Sequence, residues 1–347
     1  MLRDDEQHSI RVLDNLSVGT RADLERVAPS YEELSLGDDE IEEFLQDGGV
    51  QLIEGDVLDS EGARKAATGI DVIVHLAANT GVAPSVEDPR HDCETNVIGT
   101  LNMLEAARHQ DVSRFVLASS GAPIGECDPP IHEEMAPDPK SPYGASKLAG
   151  EGYCSAYYGS FNVETVALRF GNVYGPLSSH KSSVVAKFIR WARDGKVSEI
   201  YGDGHQTCDY IFTEDLVRAI RLAATTSDVR GELFQIATNS ETSINELVDA
   251  LVPMLREAGI QDVEVTNTEP RVGGRAPQLL GHGQGAIHAR VGGAGGFDGG
   301  ASTYGAGSRP KRRGGDGRGR PTMIKGSRPN TLGGASSRTQ VTRQMPC

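Results

Sequence analysis

Over residues 1–270, short runs of apolar and β-branched residues alternate with longer helix-like stretches, and this alternation restricts the fold more than any other feature. A strand followed by a helix, repeated, buries both faces of a sheet as βαβ units, because each crossover lays a helix on the sheet and returns the chain in parallel. Strands are expected at Ile10–Leu13, Val50–Glu54, Asp71–Leu76, Arg114–Ala118 and Val163–Leu168. Between them lie a long acidic segment, Tyr31–Gln46, and helix signals at Asn96–His109 and Pro142–Tyr157, the latter with Ser141 as N-cap and Pro142 in its first turn. The fold class is α/β, a doubly wound parallel sheet.

A chain of 347 residues, 37% of them hydrophobic, can bury a sizeable core without disulfides. No stretch approaches the ~18 uncharged apolar residues of a membrane-spanning helix. The opening Met1-Leu2-Arg3-Asp4-Asp5-Glu6 is acidic where a secretory signal is basic and then apolar. A cytoplasmic protein with no membrane partner is expected, and Cys93, Cys127, Cys154, Cys208 and Cys347, scattered singly, read as free thiols.

Charge divides the chain at about residue 270. Residues 1–270 hold 21 Lys+Arg against 47 Asp+Glu, and residues 271–347 hold 13 against 2. The acidic part has only six lysines, which suits either an ordinary acidic enzyme or adaptation to high salt; neither makes the main body a nucleic-acid binder. In residues 271–347, 20 of 77 are glycine and no apolar periodicity survives, so this segment is expected to be disordered. Its run Gly292-Gly293-Ala294-Gly295-Gly296-Phe297 imitates a phosphate-binding loop but lacks the preceding strand and following helix.

The strongest chemical signal is Tyr143-Gly144-Ala145-Ser146-Lys147. The i, i+4 spacing sets a phenol and an ammonium on one helix face, where the cation can bring the phenol, with a free pKa of about 10, toward working range as a base. Upstream, Ala118-Ser119-Ser120-Gly121 ends a strand with a hydroxyl that could meet the phenol. Val12-Leu13-Asp14-Asn15 ends another with a carboxylate suited to both ribose hydroxyls of an adenine nucleotide, which favours NAD over its phosphorylated form. Gly55-Asp56-Val57, His75-Leu76-Ala77-Ala78 and Thr95-Asn96-Val97-Ile98-Gly99-Thr100 stand at further strand ends or helix starts. His75 and His132 read as structural rather than metal ligands, and Phe188 and Trp191 as packing residues.

Together these motifs resemble the extended short-chain dehydrogenase/reductase family, in particular its nucleotide-sugar 4-epimerases of the UDP-glucose 4-epimerase type, from about His8 to Gly273. The resemblance implies a Rossmann-like NAD-binding domain over 1–172, a smaller α/β nucleotide-sugar domain over 173–270, and an aberrant tail over 271–347. By resemblance, Asp14 and Asn15 bind the adenosine ribose and Asp56 and Val57 the adenine. Leu76, Ala77, Ala78 and Asn96 line the cofactor cleft, where Tyr143 and Lys147 also meet NAD. Ser120, Tyr143 and Lys147 form the catalytic set, and Ser120 also binds substrate. Leu168-Arg169-Phe170-Gly171-Asn172-Val173-Tyr174-Gly175-Pro176 is similar to the crossing into the sugar-nucleotide domain, with Asn172 toward the diphosphate. Tyr201-Gly202-Asp203-Gly204 and Asp209-Tyr210-Ile211 are similar to a later substrate motif. The implied activity is C4 inversion of a UDP-hexose through a 4-keto sugar, and the implied assembly is a homodimer through the two helix signals. The family's dehydratases and decarboxylases carry an acid beside the catalytic hydroxyl, whereas here the positions are Ser119, Ser120 and Gly121.

Three departures accompany the resemblance. The family's first strand and glycine turn precede the ribose carboxylate by roughly 20 residues, and this sequence has 13 residues before Asp14, so both are expected to be missing, leaving a slot in the sheet. The position that presents an arginine to the diphosphate holds Cys208, and a thiol cannot replace a bidentate cation. Glu269-Pro270-Arg271-Val272-Gly273 resembles the last substrate segment, with Arg271 toward the diphosphate, but the likeness ends there and a frame-shifted reading accounts for the rest. The chain is therefore expected to bind NAD weakly and to turn over little. The alternative from another class is a non-enzymatic protein whose basic tail binds nucleic acid or acidic partners.

Overall fold

The computed structural model describes residues 8–37, 41, 49–127, 131–178 and 183–269. In chain order the elements are β1 (Ile10–Asp14), α1 (Arg21–Val27), β2 (Glu32–Leu34), β3 (Val50–Glu54), α2 (Ser60–Ala66), β4 (Val72–His75), α3 (Val82–Glu87), α4 (Pro89–Cys93), a π turn at Glu94–Ile98, α5 (Gly99–His109), β5 (Arg114–Ser120) and α6 (Pro142–Phe161). There follow β6 (Glu164–Phe170), β7 (Asn172–Tyr174), α7 (Val184–Arg193), β8 (Ser198–Tyr201), β9 (Thr207–Cys208), β10 (Tyr210–Phe212), α8 (Thr213–Thr225), β11 (Glu232–Ile236), β12 (Thr242–Ser243), α9 (Ile244–Glu257) and β13 (Val265–Thr268).

The α/β class expected from the sequence is what the chain adopts. A four-stranded parallel sheet runs in the order β11-β6-β5-β4, and a three-stranded parallel sheet in the order β1-β3-β2. In β5 successive side chains face opposite layers, as the strand repeat of two requires. Phe115 and Leu117 pack with Leu104, Ala107, Cys154 and Tyr157 beneath α5 and α6, while Val116 packs with Leu216 and Ala223 beneath α8. A strand covered on both faces reads as an unbroken apolar run, which explains why Arg114–Ala118 was legible.

One expectation needs correction. Ile10–Leu13 and Asp71–Leu76 were to share a single sheet, but β1 and β4 belong to two separate ones. The reason is local: among the described strands β1 bonds only to β3 and β4 only to β5, so each keeps one edge unpaired. The two parts are joined by helices instead, with Leu13 of β1 packed against the cluster that holds Ile73 of β4 and Leu104 of α5.

Other boundaries also shift. The acidic segment 31–46 contains the short β2, and residues 38–40 and 42–48 lie outside the described residues. The helix expected from Asn96 is already under way at Pro89, with the π turn between α4 and α5 placing Asn96 in mid-helix. Helix α6 begins as expected, the Ser141 side chain accepting from Gly144 N at 3.1 Å. Beyond β6 come the pairs β7–β10, β8–β13 and β9–β12. Phe188 and Trp191 of α7 stack at 6.2 Å and, with Ile200 and Ile244, form a separate small core. The tail 271–347, with its glycine run, Cys347 and Arg271, lies outside the described residues.

Candidate active site

The sequence-predicted residues gather at the carboxyl ends of the parallel strands, where open α/β sheets bind ligands. At the end of β1, Asp14 Oδ1 accepts from Leu16 N at 2.7 Å, leaving Oδ2 for a ligand. Asn15 donates through Nδ2 to Asp56 Oδ2 at 3.0 Å, so the two proposed adenosine contacts meet directly. Register accounts for this: Asp14 lies opposite Glu54, and the chain leaves both strands at the same level. Val57 turns its side chain into the core, while its carbonyl accepts from Asn102 Nδ2 at 2.9 Å.

Past the end of β4, Leu76 is 56% exposed, whereas Ala77 and Ala78 are half-buried. An apolar side chain this open beside a strand end suits a planar ring. With acceptors at Asp14 and Asp56 and a cation at Lys147, these residues fit an adenine dinucleotide, and they are the ones that would hold it.

Asn96 is only 2% exposed. Its Oδ1 accepts from Asn79 N at 2.8 Å, and its Nδ2 is 3.0 Å from Asn79 O, Asp92 Oδ1 and Ser146 Oγ. Its role here is to tie the loop after β4 to helix α6. The π turn that carries it bonds Gly99 N to Glu94 O, a wider turn of the kind that marks functional sites.

Tyr143 and Lys147 project from the first turns of α6 toward the end of β5. Gly144 lets the helix come this close, since a Cβ there would lie 2.6 Å from Ala122 O. Lys147 is 6% exposed and donates to Ala118 O at 3.0 Å, with Nζ 5.9 Å from the centre of the Tyr143 ring. Burial pushes its ammonium down to about 8, against the pull of Asp92 and Glu151. Burial also raises the Tyr143 phenol above its usual value; the Ser120 hydroxyl works against this and the Asp92 charge adds to it. The Ser120 hydroxyl accepts from Ala122 N at 3.2 Å.

Several neighbours escaped the sequence reading. Glu151, one turn beyond Lys147, is held by Arg169 through Nε at 2.8 Å and Nη2 at 2.6 Å, and Ser119 Oγ donates to it at 2.5 Å. The only available signal was the helical spacing Tyr143, Lys147, Glu151. His75 is buried beside Thr100 Oγ1 at 3.1 Å, and that hydroxyl donates to Asn96 O at 2.7 Å, a structural use of the histidine as expected.

The substrate-side residues are less converged. Asn172 opens β7 half-buried, its N–H donating to Asp209 O at 3.0 Å. Asp209 is consumed by the Thr238 N–H and hydroxyl at 2.8 Å each and by Ser240 N at 3.2 Å. Cys208 is buried in β9, and burial pushes its thiol up.

Known proteins resemble this chain in sequence and in fold. The sequence model of the NAD dependent epimerase/dehydratase family matches residues 2–237. A protein of Methanocaldococcus jannaschii is 31% identical over 71% of this chain and 74% of its own length. The UDP-glucose 4-epimerase of Mycolicibacterium smegmatis is 36% identical over 58% of this chain and 66% of its own. Among solved structures, the UDP-glucose 4-epimerase of Thermotoga maritima with UDP-glucose superposes with a TM-score of 0.67 at 29% identity, covering 80% of this chain and 84% of that one. The Thermus thermophilus UDP-glucose 4-epimerase in complex with NAD gives 0.62 at 32% identity, over 78% of this chain and 81% of that one. Human dTDP-D-glucose 4,6-dehydratase is 29% identical over 63% of this chain and 65% of its own length. The chain belongs to the NAD dependent epimerase/dehydratase family.

Proposed function

We propose that this enzyme of the NAD-dependent epimerase type inverts C4 of a UDP-hexose. One observation carries the choice of epimerisation over dehydration: no acid flanks Ser120, and Glu151, the carboxylate that Ser119 reaches, commits both oxygens to Arg169 and Ser119. Elimination of water needs an extra proton donor at the sugar, whereas inversion needs one base that takes a proton and gives it back.

The nicotinamide, when bound, supplies the acceptor and donor for the C4 hydride. Tyr143 takes the proton of the C4 hydroxyl and returns it once the 4-keto sugar has presented its other face. Lys147 supplies positive charge beside the phenolate, and Ser120 hydrogen-bonds the substrate oxygen. Asp14 and Asn15 take the adenosine ribose, Asp56 and Val57 the adenine, and Leu76–Ala78 and Asn96 line the cleft. Asn172, with Arg271, takes the substrate diphosphate. Residues 1–172 serve the cofactor and 173–270 the sugar nucleotide, with β11 returning to the sheet of the first part.

The same reading makes the protein a cytoplasmic homodimer paired through α5 and α6, and no described helix is long and apolar enough to cross a membrane. Tyr153 is exposed on α6 and Leu101 and Leu148 are half-buried, while Leu104 is a core residue. Sedimentation at micromolar concentration is expected to show a dimer.

The deciding experiment incubates the purified chain and NAD with a panel of UDP-sugars and one dTDP-hexose, with products read by NMR. A UDP-hexose equilibrating with its C4 epimer supports the proposal. A 4-keto-6-deoxy product, or turnover of the dTDP-hexose in preference to every UDP-sugar, overturns it.

A further inference from the structure

Four ionisable side chains are buried near Tyr143, the bases Lys147 and Arg169 and the acids Asp92 and Glu151, and none is more than 7% exposed. Glu151 and Arg169 satisfy each other through a two-pronged ion pair. That leaves Lys147 and Asp92. The ammonium donates to the Ala118 carbonyl, a neutral acceptor. Asp92, 1% exposed at the end of α4, accepts from Asn96 Nδ2 through Oδ1, and its Oδ2 has no hydrogen-bond partner among the described residues. The Asn96 amide has two hydrogens for three oxygens at 3.0 Å, so even Oδ1 is under-supplied. A buried carboxylate this poorly solvated stays ionised only beside a cation, and a buried ammonium stays charged more readily beside an anion.

We propose that Asp92 is the counter-ion of Lys147 and sets where the Tyr143–Lys147 pair gives up its protons, a role that rests on the reading of that pair as the acid–base centre. Asp92 is a positioning residue, since it acts through Lys147. The groups facing the pair are His75 from β4, Asp92 from α4, Ser120 and the Ala118 carbonyl from β5, Glu151 from α6, and Arg169 from β6 through Glu151. His91, the neighbour of Asp92, is exposed. His75 is buried and held neutral, its own pKa pushed down to about 3, so it adds no charge. Burial raises the Asp92 carboxyl, while a hydrogen bond with Ser146 and then the Lys147 and His91 charges draw it down. The charge acts twice: it favours protonated Lys147 and disfavours ionised Tyr143. Both effects hold protons on the pair until a positively charged cofactor enters the site.

The test is an ultraviolet titration of tyrosinate in the full chain without cofactor. It compares the unaltered protein with Asp92→Asn, each after subtraction of its Tyr143→Phe counterpart. Because the two groups titrate as a coupled pair, the readout is the midpoint of the pair. Loss of the buried anion is expected to lower it by about one pH unit. An unmoved midpoint in folded Asp92→Asn overturns the proposal. Ser146→Ala removes a hydrogen bond that draws the Asp92 carboxyl down but keeps the carboxyl itself, so its midpoint is expected to move less than that of Asp92→Asn. A shift equal to that of Asp92→Asn would assign the effect to geometry and also overturn the proposal. Asparagine keeps an oxygen for Asn96, so failure of Asp92→Asn to fold would place Asp92 in the fold rather than in protonation and sink the proposal too. The readout needs no turnover, so a chain that fails to epimerise leaves this result standing.

Discussion

The Asn96 amide lies 3.0 Å from the Ser146 hydroxyl, and through this contact the π turn between α4 and α5 grips the helix that carries Tyr143 and Lys147. Ser146 passes its own hydrogen to the Tyr143 carbonyl at 3.0 Å, so the clamp reaches the backbone of the proposed base itself. On its other side the same amide holds both backbone groups of Asn79, fixing the loop that follows β4. One buried side chain thus sets the distance between the floor of the cofactor cleft and the proposed catalytic helix.

Removing the hydroxyl at this joint should affect turnover more than folding. Ser146→Ala loses buried hydrogen bonds whose net worth is about 1 kcal/mol. It also frees the first turn of α6, where small misplacement of a base is costly in rate. Denaturant titration is expected to show a small loss of stability, and steady-state kinetics a kcat lower by about tenfold, a factor worth about 1.4 kcal/mol in the barrier. An unchanged kcat would mean that Tyr143 is positioned without this clamp.

Tyr143→Phe deletes only the hydroxyl proposed to move the proton. The rate is expected to fall by roughly 10²–10⁴-fold, the usual worth of a positioned general base, with NAD binding retained. Isothermal titration with NAD alongside the epimerisation assay separates the two effects, and a variant that still turns over at the parent rate removes Tyr143 from the mechanism.

Much of this site was legible because its residues stand where local sequence rules are strong. Asp14, Asp56 and Ser120 close runs of apolar strand residues, and Ser141-Pro142 marks the start of a helix by capping chemistry alone. What escaped was whatever depends on distant chain segments. Asp92 and Asn96 acquire their partners through a π turn that no periodicity announces, and Glu151 meets Arg169 only because α6 packs on β6. The division of the sheet between β1 and β4 is likewise a pairing outcome, since an apolar run states that a strand is buried and not which neighbour it bonds.

Acid should expose the buried histidine. Burial pushes His75 down to about 3 from an ordinary 6.5, with the Lys147 charge adding to the effect. The unfolded chain therefore takes up a proton between those two pH values while the folded chain does not, and stability falls as pH falls through that window. At one and a half units below the ordinary value the contribution lost is about 2 kcal/mol. His75→Gln keeps a donor for Thr100 without the titration, so its stability is expected to fall less steeply than that of the parent between pH 6.5 and 3. Chemical denaturation across that range measures the difference between the two slopes, and parallel curves would show that His75 titrates normally.

The Glu151–Arg169 pair should behave asymmetrically. Arg169 is 2% exposed and Glu151 7%, so both gave up their hydration on folding and each now depends on the other. Arg169→Met strands the Glu151 charge one turn from Lys147, with only Ser119 still donating to it, and a cost of about 3–5 kcal/mol is expected. Replacing both members, Glu151→Leu with Arg169→Met, removes the stranded charge and should recover most of that loss, because a packed apolar pair has no desolvation penalty to offset. The double variant also leaves Asp92 as the sole buried anion beside Lys147, so the folded protein should still bind NAD. Thermal unfolding of the two single variants and the double variant gives the cycle. If the double variant is as unstable as Arg169→Met alone, the pair is held for its packing shape and not for its charge.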